Sequence, residues 1–379
     1  MLISFGARNY LSFKEGFEVS MQLPPSIFPE REVSEAMCII GANASGKTNV
    51  IRALAFIAQF CSDSFSLKPE DPLSIATYGF CNEPSSFFLE FSIGEISYNY
   101  TADLTNSGVV SESLARKASK WVTLFSREGN ELVQCIKEFD ALKKIKLRKN
   151  ASIISIAHQY EMSVLEEIYQ FFSNIESNIN PLDGETLYNG LATSLVAISK
   201  WYEYSPTDLQ FTKEKLCEAD TGINDIRIEA IKNPNEEEIY YPVFIHDTKD
   251  GRVEIPYFLE SSGTRLLYAQ LALFSQVLGT GGVLLLDEFD NNLHPELLGW
   301  LIDLFFDSEH NPHHAQIIFS SHNTTVMDRL TKYRVVVVNK EENESFLYRL
   351  DELPGSLLRN DRSVETIYKS GKLGGVPSL

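Results

Sequence analysis

What the chain is short of narrows it first. Its five cysteines, Cys38, Cys61, Cys81, Cys135 and Cys217, are scattered, and none forms a C-x-x-C pair. Neither a zinc knuckle nor a disulfide framework is implied, and a reducing cytoplasm is the expected setting. No apolar run approaches the ~18 residues of a membrane span. The opening Met1-Leu2-Ile3-Ser4-Phe5-Gly6 has no basic region leading into an apolar stretch, so no signal peptide is expected. Positive charge is in deficit: 33 Lys and Arg stand against 52 Asp and Glu, for a net charge of −19. The pI is near 4.8. Dedicated nucleic-acid binders carry the opposite balance, so DNA binding spread over the whole surface is disfavoured, while a local basic groove stays open. There are no internal repeats, no low-complexity tracts and no sustained heptads of a long coiled coil. What is left is ordinary: 44% hydrophobic and 22% charged residues in a chain of 379, enough for a large core in one or two domains.

Against that background one stretch stands out. Gly41-Ala42-Asn43-Ala44-Ser45-Gly46-Lys47-Thr48 fits G-x-x-x-x-G-K-[ST] at every fixed position. The spacing follows from phosphate chemistry. Glycines let the backbone come close, loop N–H groups point inward, and the helix that follows presents its positive end to the anion. Lys47 is expected to reach the β- and γ-phosphates of ATP, and the Thr48 hydroxyl to ligate Mg²⁺. Asn43, Ala44, Ser45, Gly46 and Asn49 complete the candidate nucleotide contacts. The flanks agree: 36–40 reads as a buried strand, and 49–60 has helical apolar spacing through Val50, Ile51, Leu54, Ile57 and Ala58.

The rest of the chain reads as strands at 3–13 (with a turn) and 17–23, a proline loop, and a polar loop over 62–84. Strand pairs are expected at 87–93 with 96–101, and at 124–127 with 131–133. From 135 the texture turns helical, with periodicity over 153–173 and 187–201. Strand texture returns at 223–230, 239–246 and 252–255, with an acidic turn at 233–238. The expected division is an N-terminal lobe with the P-loop (1–134), a helical insertion (135–218) and a C-terminal lobe (219–379).

That last lobe carries a second set of motifs. Gly282-Val283-Leu284-Leu285-Leu286-Asp287-Glu288 is an apolar strand ending in two carboxylates, a Walker B pattern. Asp287 would hold Mg²⁺, and Glu288 would polarise the attacking water, because phosphoryl transfer rests on positioning and charge neutralisation. It follows the P-loop by some 240 residues, a gap that suits ABC-type ATPases, in which a separate lobe intervenes. Glu260-Ser261-Ser262-Gly263-Thr264 opens a helix pattern before Walker B, at the place of the ABC signature. Ser261 and Gly263 would face a γ-phosphate, which in ABC-type ATPases belongs to the partner subunit. The plain structural alternative is a helix N-cap by Ser or Thr. Phe289-Asp290-Asn291-Asn292-Leu293-His294-Pro295 matches a D-loop. Gln316-Ile317-Ile318-Phe319-Ser320-Ser321-His322-Asn323 is a strand ending at the switch-histidine position, which makes His322 the candidate γ-phosphate sensor.

In this order the motifs resemble ABC-type ATPases of the SMC and RecF clade, and more narrowly the OLD-related ATPases of bacterial anti-phage and abortive-infection systems. Asn9-Tyr10-Leu11-Ser12-Phe13 is similar to the clade's opening N-F-x-S-F. Glu260 to Thr264 is similar to its E-S-x-G-T, and Asp287 to Pro295 to its D-E-x-D-x-x-L-H-P. The tail from Tyr368 to Pro377 is similar to the Y-x-x-G-x-x-G-x-x-P ending of stand-alone members. The resemblance implies an α/β fold: a P-loop NTPase of ABC type, with a mixed β-sheet lobe and a second lobe. It implies ATP and Mg²⁺ as cofactors, slow ATP hydrolysis, and self-association into a homodimer or a larger even-numbered assembly. OLD nucleases carry a C-terminal TOPRIM domain. The 57 residues after His322 are too few for one, so a TOPRIM nuclease or other toxin is expected as a separate effector. No glutamine in 78–90 serves as a Q-loop residue, and Arg8 is a nucleotide contact only by resemblance. The rival reading is a RecF/SMC-type DNA-repair or chromosome-maintenance ATPase that binds DNA directly. The basic run at 143–149 reads as a solvated helix face before a nucleic-acid or phage-ligand contact, and the histidines His310, His313 and His314 as a polar loop rather than a metal site.

Overall fold

The computed structural model describes the chain apart from residues 118, 186–190, 220, 234–235, 356, 359–362 and 377–379, and apart from the side chains of 191–194. In chain order, β1 (Leu2–Arg8), β2 (Phe17–Ser20), β3 (Ala36–Gly41) and α1 (Lys47–Asp63) precede β4 (Ser85–Ile93), β5 (Ile96–Thr105), β6 (Gly108–Lys117), β7 (Trp121–Glu128) and β8 (Glu131–Cys135). Next come α2 (Ile153–Gln159), α3 (Glu166–Ser173), β9 (Ile175–Ser177), α4 (Leu191–Tyr204), α5 (Pro206–Glu218), β10 (Asp225–Lys232), β11 (Glu238–Thr248) and β12 (Gly251–Pro256). The chain continues through α6 (Ser262–Thr280), β13 (Val283–Leu286), α7 (Pro295–Phe306), β14 (Gln316–Ser320), α8 (Val326–Leu330), β15 (Val335–Glu341), β16 (Glu344–Arg349) and α9 (Val364–Lys369).

The central sheet runs β16-β15-β3-β14-β13-β9, parallel except for β16 at one edge. Its inner strands are buried at every position of β3, β13 and β14, which is why they read as unbroken apolar runs rather than alternating ones. The alternation shows in what each side chain meets. Met37, Ile39, Leu285 and Ile318 pack into a core shared with α1 and the antiparallel sheet β2-β1-β4-β5-β6-β7-β8. Cys38, Ile40, Leu284, Leu286 and Phe319 face a second core made with α6, α7 and the C-terminal elements. A small antiparallel sheet, β10-β11-β12, lies beside α4 and α5.

Strands β6, β9, β15 and β16 go beyond those read from the sequence, and β6 and β9 show why. β6 points Glu112 into the core, where a hydrophobe is expected. The carboxylate is fully buried with the Arg127 guanidinium of β7, Oε2 to Nε 2.8 Å, and also accepts from Tyr100 and Ser152. A strand whose inward residue is an acid does not alternate on paper. β9 is only three residues long, yet it completes the central sheet beside β13.

The helical stretch 135–218 divides between the two cores. Ile153, Ile154, Ile168 and Phe172 join the α1 side, whereas Leu195, Tyr202 and Leu216 join the α6 side. Each half buries its own apolar face, one on α1 and the other on α6 and β11. The tail motif folds back on the sheet. Tyr368 donates to Gly375 O (2.6 Å), Gly375 N–H donates to Asn339 (2.6 Å), and the Tyr348 hydroxyl bonds the Leu373 carbonyl. Pro377, the last residue of that motif, lies outside the described residues, as do the first residues of the 187–201 periodic stretch and part of the 233–238 turn.

Candidate nucleotide site

β3 delivers the chain to Gly41, and α1 takes it up at Lys47. Between them Ala44 and Gly46 adopt positive φ, +62° and +114°, which turns the loop's N–H groups toward one concavity. Gly46 admits no side chain. A Cβ there would come within 2.7 Å of Ser345 Oγ and 2.9 Å of Ser12 Oγ. Those two serines brace the loop from outside. Ser345 Oγ donates to Ser45 O (2.6 Å) and lies 2.7 Å from Ser12 Oγ, to which Asn49 Nδ2 donates at 2.8 Å. Inside the loop, Ser45 Oγ is buried with no hydrogen-bond partner. Among the described residues Lys47 Nζ donates to the loop carbonyls of Gly41 (3.0 Å) and Ala42 (3.2 Å) alone. Burial lowers its pKa, opposed by the charges of Asp287, Glu288 and Asp290. A buried ammonium and an orphaned hydroxyl in one cradle fit an anion of several oxygens.

Walker B meets this cradle directly. Thr48 Oγ1 donates to Asp287 Oδ2 at 2.7 Å, across 239 residues of sequence. No cluster of three or more His, Cys, Asp or Glu able to hold a metal occurs among the described residues. One hydroxyl and one carboxylate suit Mg²⁺, which keeps most of its shell for phosphate and water. Three residues that the sequence leaves without a role hold the acid in place. The Ser320 hydroxyl at the end of β14 donates to Asp287 Oδ1 and accepts from the Glu288 N–H (2.8 Å). Asn178, just past β9, bonds both sides of the Asp287 peptide, at 2.8 and 2.9 Å. Arg52, one turn beyond Thr48, donates to Pro181 O and Leu182 O and so ties the loop after Asn178 to α1. Asn178 is a polar side chain beside Walker B, far in sequence from residues 78–90, where a Q-loop glutamine is expected. Ser320 was legible as a polar residue ending an apolar strand; Asn178 carried no comparable signal.

Glu288 takes φ +50°, uncommon for a residue with a side chain, and its carboxylate is exposed. The next turn links the D-loop to the switch loop: the Asp290 carboxylate accepts the His322 N–H at 3.1 and 3.2 Å, while the His322 ring is exposed. At the signature, Ser261 caps α6, its Oγ accepting from Thr264 N–H at 3.1 Å. The local capping geometry is therefore real. Glu260 accepts from Ser261 N–H (3.1 Å) and meets His246 Nε2 (2.6 Å). Gly263 is fixed by its own chain, since a Cβ would lie 2.9 Å from Asn292 O of the D-loop. Among the described residues no hydrogen bond or ion pair joins 260–265 to 41–49.

A groove of about 460 Å³ opens beside the P-loop, lined by Leu11, Ser12, Asn49, Tyr78, Phe80 and Asn343. Phe80 is 88% exposed. Phe80 and Leu11 both hold positive φ, +54° and +52°. Arg8 ends β1 in an exposed position. The histidines near 312 go separate ways, His310 to Asp307 (2.6 Å) and His314 toward Glu35 (3.8 Å). In the basic run, Arg148 bonds the Phe65 and Leu67 carbonyls, and Lys143 pairs with Asp140.

A parallel sheet presenting a P-loop and a Walker B acid side by side, with a second antiparallel sheet against α1, is the fold of an ABC-type P-loop NTPase. One solved structure agrees. An SMC head bound to the C-winged helix domain of ScpA superposes with a TM-score of 0.51 at 13% identity, over 93% of this chain and 98% of that one. The SMC head domain from Thermotoga maritima gives 0.46 at 13% identity, over 92% and 98%. Residues 36–328 match the family described as AAA domain, putative AbiEii toxin, Type IV TA system, and the chain belongs to that family. No curated protein matches it.

Proposed function

We propose that this protein binds and hydrolyses ATP as the regulatory subunit of a bacterial anti-phage system, controlling a nuclease or toxin supplied as a separate chain. The observation that carries the ATPase reading is the 2.7 Å bond between Thr48 and Asp287, which brings the two halves of a phosphate and Mg²⁺ site together. Membership of a family described by a putative toxin of a toxin–antitoxin system supports the defence setting. No helix among the described residues is long and apolar enough to cross a membrane.

In this reading the loop N–H groups of 43–49 and the Lys47 ammonium bind the β- and γ-phosphates. Thr48 and Asp287 hold Mg²⁺, which when bound neutralises charge between those phosphates. The base and ribose occupy the groove by Ser12 and Asn49, with Tyr78 and Phe80 as aromatic walls. Glu288, exposed and turned out by its backbone, orients the attacking water and takes its proton. His322 senses the γ-phosphate, and its backbone bond to Asp290 passes that state to the D-loop. In the same reading Ser261 and Gly263 serve the nucleotide of a second copy, so that the working unit is at least a homodimer; that no bond joins 260–265 to the P-loop among the described residues is compatible with it.

The test is to measure ATP turnover and ATP-driven association together. Turnover that depends on protein concentration and stops with Lys47→Ala supports the reading; hydrolysis by a monomer at the full rate sinks the composite site. The SMC-like fold also suits a DNA-binding ATPase. Salt-dependent DNA binding by the isolated chain would favour that alternative.

A further inference from the structure

The acidic chain leaves almost no arginine unpartnered. Among the described residues every arginine except Arg8 and Arg265 has a carboxylate, carbonyl or hydroxyl bonded to its guanidinium. Arg8 is simply exposed. Arg265 is different. It is half-buried, and its Nε is closed off from solvent with no hydrogen-bond partner. It also stands in the first turn of α6, four residues after the capping Ser261. A cation at that end opposes the helix dipole, and a buried donor without an acceptor costs free energy. Among the described residues of its own subunit no partner offsets either penalty. The nearest acid in sequence, Glu260, is already held by His246 and by the Ser261 N–H.

An anion brought from outside to the rest of the guanidinium would offset the charge set against the helix dipole. On the helical wheel Arg265 shares a face with Ser262, which is exposed, so it stands in the same first turn as the signature residues. Its planar fork matches phosphate oxygens two at a time, which a lysine cannot do. We propose that Arg265 is a phosphate ligand acting between subunits, bonding the nucleotide held by the P-loop of a second copy of this chain. The inference rests on the composite-site reading above and adds a residue to it. It gives the signature turn a full positive charge to set against the γ-phosphate, where Ser261 alone, already engaged in its cap, offers a dipole.

The experiment uses the full chain in a Glu288→Gln background, which arrests hydrolysis, and follows ATP-driven dimerisation by sedimentation. Adding Arg265→Ala is expected to weaken the dimer on the order of 100-fold, the scale of losing one charge-directed donor in a closed site. Arg265→Lys should recover part of that loss. Affinity for ADP, measured at dilution where the chain is monomeric, and the melting temperature should stay unchanged. A double variant that dimerises as tightly as its parent overturns the proposal while leaving the composite site standing. Loss of monomer ADP affinity also overturns it, because Arg265 then serves its own subunit. If Glu288→Gln itself forms no ATP-driven dimer, the composite site fails and the inference fails with it.

Discussion

The P-loop and the signature loop are both turns that open into a helix N-terminus, and they are finished to different degrees. The P-loop is braced on every side: Ser12 and Ser345 hold it from outside, Asn49 pins Ser12, and Thr48 is bonded to Asp287. The signature loop is capped and propped from behind by His246 and Glu260, but its leading face is exposed. Phe258 and Leu259 just before it are 62% and 69% exposed. One loop is held on the sides its neighbours cover; the other leaves a face open, and in the reading proposed above that face meets a second copy.

Four substitutions break or sharpen that contrast. Lys47→Ala removes the only buried cation of the cradle and should cost at least about 100-fold in ATP affinity by calorimetric titration. Unchanged affinity would displace the site from the P-loop. Glu288→Gln should keep binding but lower turnover about 10²–10⁴-fold, the range of a lost general base; a wild-type rate would put the Walker B register in error. Glu112→Ala tests the scaffold rather than the site. Stranding Arg127 in the core should cost about 3–5 kcal/mol in denaturant unfolding. A loss under about 1 kcal/mol would mean the ion pair is not the keystone of β6 and β7. Ser261→Ala is the smallest in stability, about 1 kcal/mol for a lost N-cap, and it should lower turnover by much more than that loss explains. If turnover and stability fall in proportion, Ser261 is a cap and nothing else. Gly263 is a poorer probe, because any side chain there strikes Asn292 O within the same subunit before it reaches a partner.

How much of this was readable beforehand depended on whether a residue's chemistry and its packing agreed. Lys47, Thr48 and Asp287 sit in motifs whose spacing is set by the phosphate, so their meeting was legible across 239 positions. The inner strands were legible because burial on both faces leaves mostly apolar residues, with the polar Gln316 and Ser320 only at the ends of β14. β6 was not, because its core position is Glu112, whose partner Arg127 lies on the next strand and leaves no mark on the local pattern. Asn178 was invisible for a related reason. Its role comes from a three-residue strand beside β13, and an asparagine after Ile-Glu-Ser carries no periodicity. Ser12 was visible only as part of the Asn9-to-Phe13 resemblance, and Ser345 not at all; their service to Gly46 exists only once β16 is laid against the loop.

The alternation along β3 has a practical corollary. Cys38 faces the α6 core and Cys61, on α1, faces the other, and both thiols are wholly shielded. Burial raises the pKa of each, which suppresses the thiolate that alkylating reagents capture. Cys81 and Cys217 are exposed and Cys135 partly so; these three would be consumed in the first moments of labelling. The slow remainder then comes from two positions, one per core, each reacting only when its own half of the molecule breathes. A native-state alkylation time course, with the two peptides resolved by mass, would read the opening of the phosphate-binding half and of the signature-bearing half as separate clocks in the unmodified protein.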